Sequence, residues 1–391
     1  MNMNAKKTLC ALGMAVVCLL SVVPAIGQAG PGQKTLMAED VFRNVQVLRG
    51  IPVNQFMETM GFFSASLSLN CTDCHVADSL GSWAKYADDI PLKRTARRMI
   101  VMVNAINKTN FGGQRMVTCY SCHRGAQHPK VIPSLAEQYS APPPDDPDEV
   151  EILAQASEGP GADQILEKYI QAAGGTERLG KVTGFVAKGI YQGYDTAQSK
   201  VPVDIYAKAP GQRTMIVHTL IGDSTTTWDG RAGWLAANDK PVPVLALPPG
   251  ADSDGLKLDA ELSFPARVKQ TLGQWRVGFP DTSIDDRQVL VVQGTTTGKS
   301  RVKLFFDKES GLLVRQVRYA DTPVGTVPTQ VDYADYREVS GVKMPYRLTL
   351  TWTDGRSTIE LTEVRANAPI DASKFAKPAP PATPQPKPAA P

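Results

Sequence analysis

Asn70-Cys71-Thr72-Asp73-Cys74-His75 and Thr118-Cys119-Tyr120-Ser121-Cys122-His123 decide how the first third of this 391-residue chain folds. Each stretch holds two cysteines three positions apart, with a histidine directly after the second. That spacing is the attachment pattern of c-type haem. Two thiols one helical turn apart reach both vinyl groups of one porphyrin, and the adjoining histidine then falls under the iron. The chain has six cysteines, and Cys10 and Cys18 lie in an N-terminal apolar segment, so the motifs use all the others. Of only four histidines, His75 and His123 stand in the motifs, leaving His128 and His218. A zinc ribbon also uses paired CxxC, but it does not explain why histidine follows both pairs. Paired disulfides suit an oxidising compartment, which is also where covalent haem attachment is expected. The pattern therefore points to two covalently bound haem c groups, on Cys71 and Cys74 and on Cys119 and Cys122. His75 and His123 are the expected axial ligands of the irons, and no catalytic residue is assigned.

The flanking sequence reads as helical. Ala38 to Leu48 is a short amphipathic run. A helix is expected from Pro52, with Phe56, Met60, Phe63 and Leu67 at helical spacing, ending directly before Cys71. A second is expected from Pro91, with Ala96, Met99 or Ile100, Val103 and Ile106 on one face, stopping before Phe111-Gly112-Gly113. Of the two remaining histidines, His128 stands five residues past His123, on the same side of that haem, and His218 lies in the β-rich part, so methionine is the expected distal ligand of at least one iron. Met/His ligation raises the reduction potential, which suits an electron carrier. Met60 can reach the first iron from a helix lying over that haem; the competing reading is that it fills core, as methionines usually do. Met99 and Met102 are the candidates for the second iron, and Met116 stands too close to Cys119 to cross the ring. Lys93, Arg94, Arg97 and Arg98 form a basic cluster. It reads equally as a solvated face and as a partner for haem propionates or an acidic redox protein.

Composition bounds the rest. The chain is 42% hydrophobic and 21% charged, which is globular, and it is long enough for two domains. A formal charge of +3, much of it from Lys6 and Lys7, excludes a strongly basic nucleic-acid binder. Residues 1–29 read as an export signal, with Lys6 and Lys7 before an apolar run and small residues at Ala25, Gly27 and Ala29. An uncleaved anchor is the alternative, so the expected location is the periplasm or the outer face of the cytoplasmic membrane. Residues 30–140 are the expected dihaem domain. Residues 141–161, with Pro142-Pro143-Pro144 and a run of acids, read as a stiff linker. Within 162–375 one helix (Asp163 to Ala173) precedes β-type runs at Val203–Lys208, Thr225–Trp228, Val289–Gln293, Val302–Phe306, Leu312–Tyr319, Arg347–Trp352 and Thr358–Val364. Residues 376–391 hold only Lys, Pro, Ala, Thr and Gln and read as a disordered tail. The fold class is thus α+β: a small helical dihaem domain followed by an antiparallel β half-barrel with a packed helix.

Beyond the bare motifs, Asn44 to Gly125 resembles the C-terminal half of the cytochrome c subunit of photosynthetic reaction centres. The likeness rests on Met60-Gly61, Ser64, Leu67-Ser68-Leu69-Asn70 before the first motif, Ala96-Arg97-Arg98-Met99-Ile100 with Asn104, and Val117-Thr118 to Arg124-Gly125 around the second. It covers about a fifth of the chain. In that family the helix before the equivalent motif supplies a methionine at the position of Met60. The family carries four haems where this chain has two motifs. The second iron is therefore left with Met99 or Met102, a borrowed ligand, or an open position. The resemblance implies single-electron transfer with redox partner proteins, a membrane-bound reaction centre or a respiratory complex among them. An open second haem would instead suit a haem-based sensor or a reductase of small oxidants.

Asp307 to Arg315 and Tyr336 to Pro345 resemble hairpins of the periplasmic lipoprotein-carrier fold, a half-barrel closed by helices over an apolar cavity. That resemblance implies a binding or docking module with an apolar ligand. Trp228, Trp234, Trp275 and Trp352 are candidates either for such a cavity or for ordinary core.

Overall fold

The computed structural model describes residues 34–140, 154–155, 159–279 and 282–380. The expected signal (1–29) lies outside these residues, as do most of the linker expected at 141–161 and most of the tail expected at 376–391. Among the described residues, no helix is long and apolar enough to cross a membrane.

Two long helices dominate the N-terminal part. Helix α1 (Val53–Leu67) follows Pro52 and stops at Ser68, whose φ of 52° is left-handed. Helix α2 (Pro91–Asn110) carries proline in its first turn, where no backbone donor is missed, and buries Ile100, Val103 and Asn107. Both lie within two residues of where the apolar spacing put them.

The C-terminal part is one antiparallel sheet. Its first meander runs through β1 (Gly184–Gly193), β2 (Lys200–Lys208), β3 (Gln212–Thr219), β4 (Gly222–Trp228), β5 (Gly233–Ala236) and β6 (Val244–Ala246). The second runs through β7 (Leu272–Phe279), β8 (Arg287–Thr296), β9 (Arg301–Asp307), β10 (Leu313–Thr322), β11 (Gly325–Val339), β12 (Val342–Trp352) and β13 (Gly355–Ala366). The last strand returns to the first, giving the order β7 to β13 and then β1 to β6. Two short strands extend the β7 end, Ala154–Gln155 on β7 and Thr282–Ile284 on β8. The two resembling hairpins are real: β9–β10 and β11–β12.

Helices α3 (Ala162–Ala173) and α4 (Ala251–Leu262) fill the concave side. From α3, Ile165, Leu166, Tyr169 and Ile170 meet Phe185, Val203, Ile205, Leu304, Phe306 and Ile359 of the sheet. Each such side chain, fully buried, contributes about 1.5–3 kcal/mol. A cavity of about 540 Å³ remains between the sheet and these helices. Leucine, isoleucine and valine line it; the four tryptophans do not. Trp228 is buried, and Trp275 packs against the core cluster.

The helical part rests on the sheet through α1. Phe62 packs with Val324 and Val327 beside the β10–β11 turn, and a Cβ at Gly325 would run into its ring. Gly61 meets the β12–β13 turn so closely that a Cβ there would stand 2.7 Å from Thr353 Oγ1. Gln55 Nε2 donates to the Asp321 carbonyl (2.6 Å), and Asn54 Nδ2 donates to Asp252 Oδ2 (2.8 Å). Trp83 Nε1 donates to the Asp239 carbonyl (2.9 Å), and Arg115 pairs with Asp321 (3.7 Å).

Candidate functional site

Each CxxCH stretch folds into one helical turn, Cys71–Cys74 and Cys119–His123. The residue before each motif caps that turn. Asn70 Oδ1 accepts from the Thr72 and Asp73 amides at 2.9 and 3.2 Å, and Asp73 Oδ2 accepts from the Asn70 amide at 2.8 Å. Thr118 and Ser121 repeat the exchange, at 3.3 and 3.0 Å. This reciprocal cap holds the first turn and brings both cysteines of a motif onto one side of it. The variable letters of the motif, Asp73 and Ser121, thus fix its shape.

The two histidines are oriented by different means. His75 Nδ1 lies 3.1 Å from the Tyr86 carbonyl, and its ring packs edge-on to the Tyr86 ring with centroids 4.8 Å apart. Tyr86 stacks on Trp83, Trp83 meets Phe42, and Phe42 stacks on Phe56 of α1. His123 Nδ1 lies 3.0 Å from the Ala126 carbonyl, three residues on. With Nδ1–H donating to a carbonyl, Nε2 keeps its lone pair for an iron, the usual arrangement of a metal-bound histidine.

Lys93 adds to the first of these. Its Nζ donates to the same Tyr86 carbonyl at 2.6 Å and to the Asp88 carbonyl at 3.2 Å. Burial first, and Lys93 second, holds the His75 pKa below the ordinary imidazole value, which favours the neutral ring that binds metal. Arg97 pairs with Asp89 at 2.8 Å and donates to the Asn44 carbonyl at 3.3 Å. Half of the basic cluster is therefore internal bracing, while Arg94 and Arg98 stand exposed. Tyr86 and the bracing role of Lys93 were not singled out from the sequence. The only hint was the pair of aromatic residues, Trp83 and Tyr86, between the first histidine and α2.

The second motif hangs from α1 and α2. The Gly125 amide donates to the Ser66 carbonyl at 3.0 Å, and Ser68 Oγ donates to the Gly125 carbonyl at 2.5 Å. Arg124 and Gly125 both have positive φ, 49° and 76°, which turns the chain back toward α1. Buried Asn107 closes the preceding loop, donating to the Val117 carbonyl (2.7 Å) and accepting from the Met116 and Val117 amides (3.1 and 2.9 Å).

All four thiols are free, Cys71 and Cys122 exposed, Cys74 and Cys119 half-buried. Burial pushes the Cys74 thiol up and the Cys119 thiol up to about 11. Among the described residues, no three His, Cys, Asp or Glu side chains gather as a bare metal site. Met60 packs against the cluster of Leu48, Phe62, Ile100, Val324 and Val327, and Cys119 packs against the same cluster. Met99 and Met102 stand on the outer side of α2, 43% and 48% exposed. Twelve of the sixteen large exposed apolar side chains among the described residues fall between Leu80 and Tyr139, including Met99, Val101, Met102, Met116 and Tyr120. So much bare apolar surface around two capped CxxCH turns fits a large apolar group such as haem c.

With this geometry in view, the chain can be set beside known proteins. Residues 16–148 match the family model described as photosynthetic reaction centre cytochrome C subunit. The photosynthetic reaction center cytochrome c subunit of Thermochromatium tepidum is 38% identical over 112 residues, 28% of this chain and 25% of that protein. That of Rubrivivax gelatinosus is 33% identical over 113 residues, 28% of each chain. The chain thus spans about a quarter of the length of these relatives. Among solved structures, a LolA superfamily protein from Nitrosomonas europaea is 15% identical with a TM-score of 0.39, covering 56% of this chain and 99% of that one. A DUF1329 family protein from Desulfovibrio piger is 9% identical with a TM-score of 0.38, covering 55% and 96%.

Proposed function

We propose that the chain is an exported dihaem cytochrome c that carries single electrons. One observation carries the reading: two complete CxxCH turns, each capped, each with its histidine Nδ1 held by a backbone carbonyl. The match of residues 16–148 to reaction centre cytochrome subunits supports it.

In this reading Cys71 and Cys74 hold the first haem and His75 binds its iron. Cys119, Cys122 and His123 do the same for the second. Haem supplies the one-electron chemistry. The protein supplies ligands, orientation and partial burial. Met60 is the proposed distal ligand of the first iron, on the helix that leads into its motif. Met99 and Met102 are the proposed distal candidates for the second. A redox protein docks on the apolar surface left between residues 80 and 139; a membrane-bound reaction centre or a respiratory complex are the partner classes. The sheet module serves as a binding or docking domain.

The test is a redox titration of the purified, haem-loaded chain, with carbon monoxide added to the reduced form. Two reversible one-electron steps without CO binding support the carrier reading with both irons six-coordinate. One CO per chain would assign the second iron to a sensor or to a reductase of small oxidants. Absence of reversible redox steps would sink the carrier reading.

A further inference from the structure

The cavity under the sheet has a wall that does not belong to the sheet module. Val53, Asn54, Met57 and Glu58 of α1 line it. Met57 is one turn before Met60 on the same helix, and Met60 packs against the cluster that also receives Cys119. One helix therefore faces the cavity along its first turns and the haem-bearing segment further on.

The polar groups inside the cavity are unevenly satisfied. Asp259 accepts from Gln316 at 2.6 Å and pairs with Arg318 at 3.4 Å. Asp252 accepts from Asn54 and shares a hydrogen bond with Glu58. Every cavity carboxyl thus has a partner. Arg213 lines the same cavity with no hydrogen bond or carboxylate partner among the described residues. The Tyr333 ring faces the cavity beside Arg213, Arg318 and Asp259, and its hydroxyl has no partner among the described residues either. A free guanidinium and a free phenol, in a recess whose carboxyls already have partners, suit an acceptor that carries negative charge. The rest of the wall, with Leu235, Leu247, Leu313 and Leu348, suits a hydrocarbon chain.

We propose that the cavity binds a long-chain carboxylate, its head group on Arg213 and Tyr333, and that α1 couples this site to the haem-bearing segment. The coupling half rests on the haem-carrier reading; the binding half does not. An anion brought beside α1 stabilises the ferric iron relative to the ferrous one. The oxidised chain therefore binds the carboxylate more tightly, and by linkage the carboxylate lowers the midpoint potential.

The experiment uses the full haem-loaded chain and palmitate, with calorimetry for binding and a redox titration for coupling. Palmitate is expected to bind one per chain, and Arg213→Gln and Tyr333→Phe are each expected to weaken it about tenfold. A threefold tighter hold on the ferric form appears as a potential lowered by about 28 mV, at 59 mV per tenfold. Failure of palmitate to bind overturns the proposal. Binding indifferent to both substitutions overturns the head-group assignment, and binding that leaves the potential unmoved, or raises it, overturns the coupling. A chain found to carry no haem would fell the carrier reading and the coupling together, while the palmitate isotherm would still decide the head-group assignment.

Discussion

The two CxxCH turns share five positions of pattern and are built into the molecule in different ways. The first is held by distant groups. His75 is fixed by the carbonyl and ring of Tyr86, and an aromatic run through Trp83 and Phe42 ties it to α1. The second is held by near neighbours, with His123 on Ala126 and Gly125 on the end of α1. A motif fixes which atoms reach the iron. Its surroundings fix how rigidly they are held, and so how each iron responds to change.

The harshest way to break the comparison is to remove one motif at a time. Cys71→Ser with Cys74→Ser, and separately Cys119→Ser with Cys122→Ser, should each lower the haem content from two to one per chain, as counted by pyridine haemochrome. If either pair left two haems, the assignment of that motif would fail.

Phe62→Ala comes next. Phe62 is 7% exposed and seats α1 on the β10–β11 turn. Truncation should cost about 3 kcal/mol in urea unfolding. It should disturb the second motif more than the first, because Cys119 packs on the same cluster.

Tyr86→Ala sharpens the contrast directly. Loss of the ring contact should cost about 1 kcal/mol and shift the spectrum of the first haem alone. Among the described residues no aromatic ring packs on His123, so no single ring deletion should reproduce the effect there. The caps make the matching control: Asn70→Ala and Thr118→Ala should each cost about 1 kcal/mol, with similar effects at both motifs.

The smallest effect lies away from both. His218 sits between Asp223 (2.8 Å) and Asp204 (3.3 Å) on the sheet. Burial opposes its charge, but these two carboxylates outweigh burial and raise its pKa. A raised folded pKa means the stabilisation is complete below the unfolded value, about 6.5, and is lost as pH rises through the folded value. Partial exposure keeps it small. His218→Asn should flatten the pH dependence of unfolding in that window and leave both haem spectra unchanged.

Much of this was legible in the chain itself. The cysteine spacing located both motifs. Apolar spacing located α1 and α2 within two residues, and Gly174-Gly175 ended α3 where expected. All seven β-type runs fall on strands, with Leu312 alone one residue outside β10. Other elements escaped for local reasons. Helix α4 carries Gly255 and three aspartates, which read as turn chemistry, and β1 is interrupted by Gly189. The seam was not legible at all. It depends on Gly61, Phe62 and Gly325, which are ordinary letters until residues more than 250 positions apart meet. The site followed the same division. The cysteines and histidines were evident, whereas the carbonyl of Tyr86 that orients His75 has no signature in a side-chain alphabet.

The central claim is that this chain holds two haems covalently, one on each motif. The most direct measurement is the intact mass of the purified protein after acid–acetone extraction, which removes haem that is not bonded to thiols. The expected mass is increased by two haems, retained through extraction. A mass increased by one haem, or by none, would contradict it.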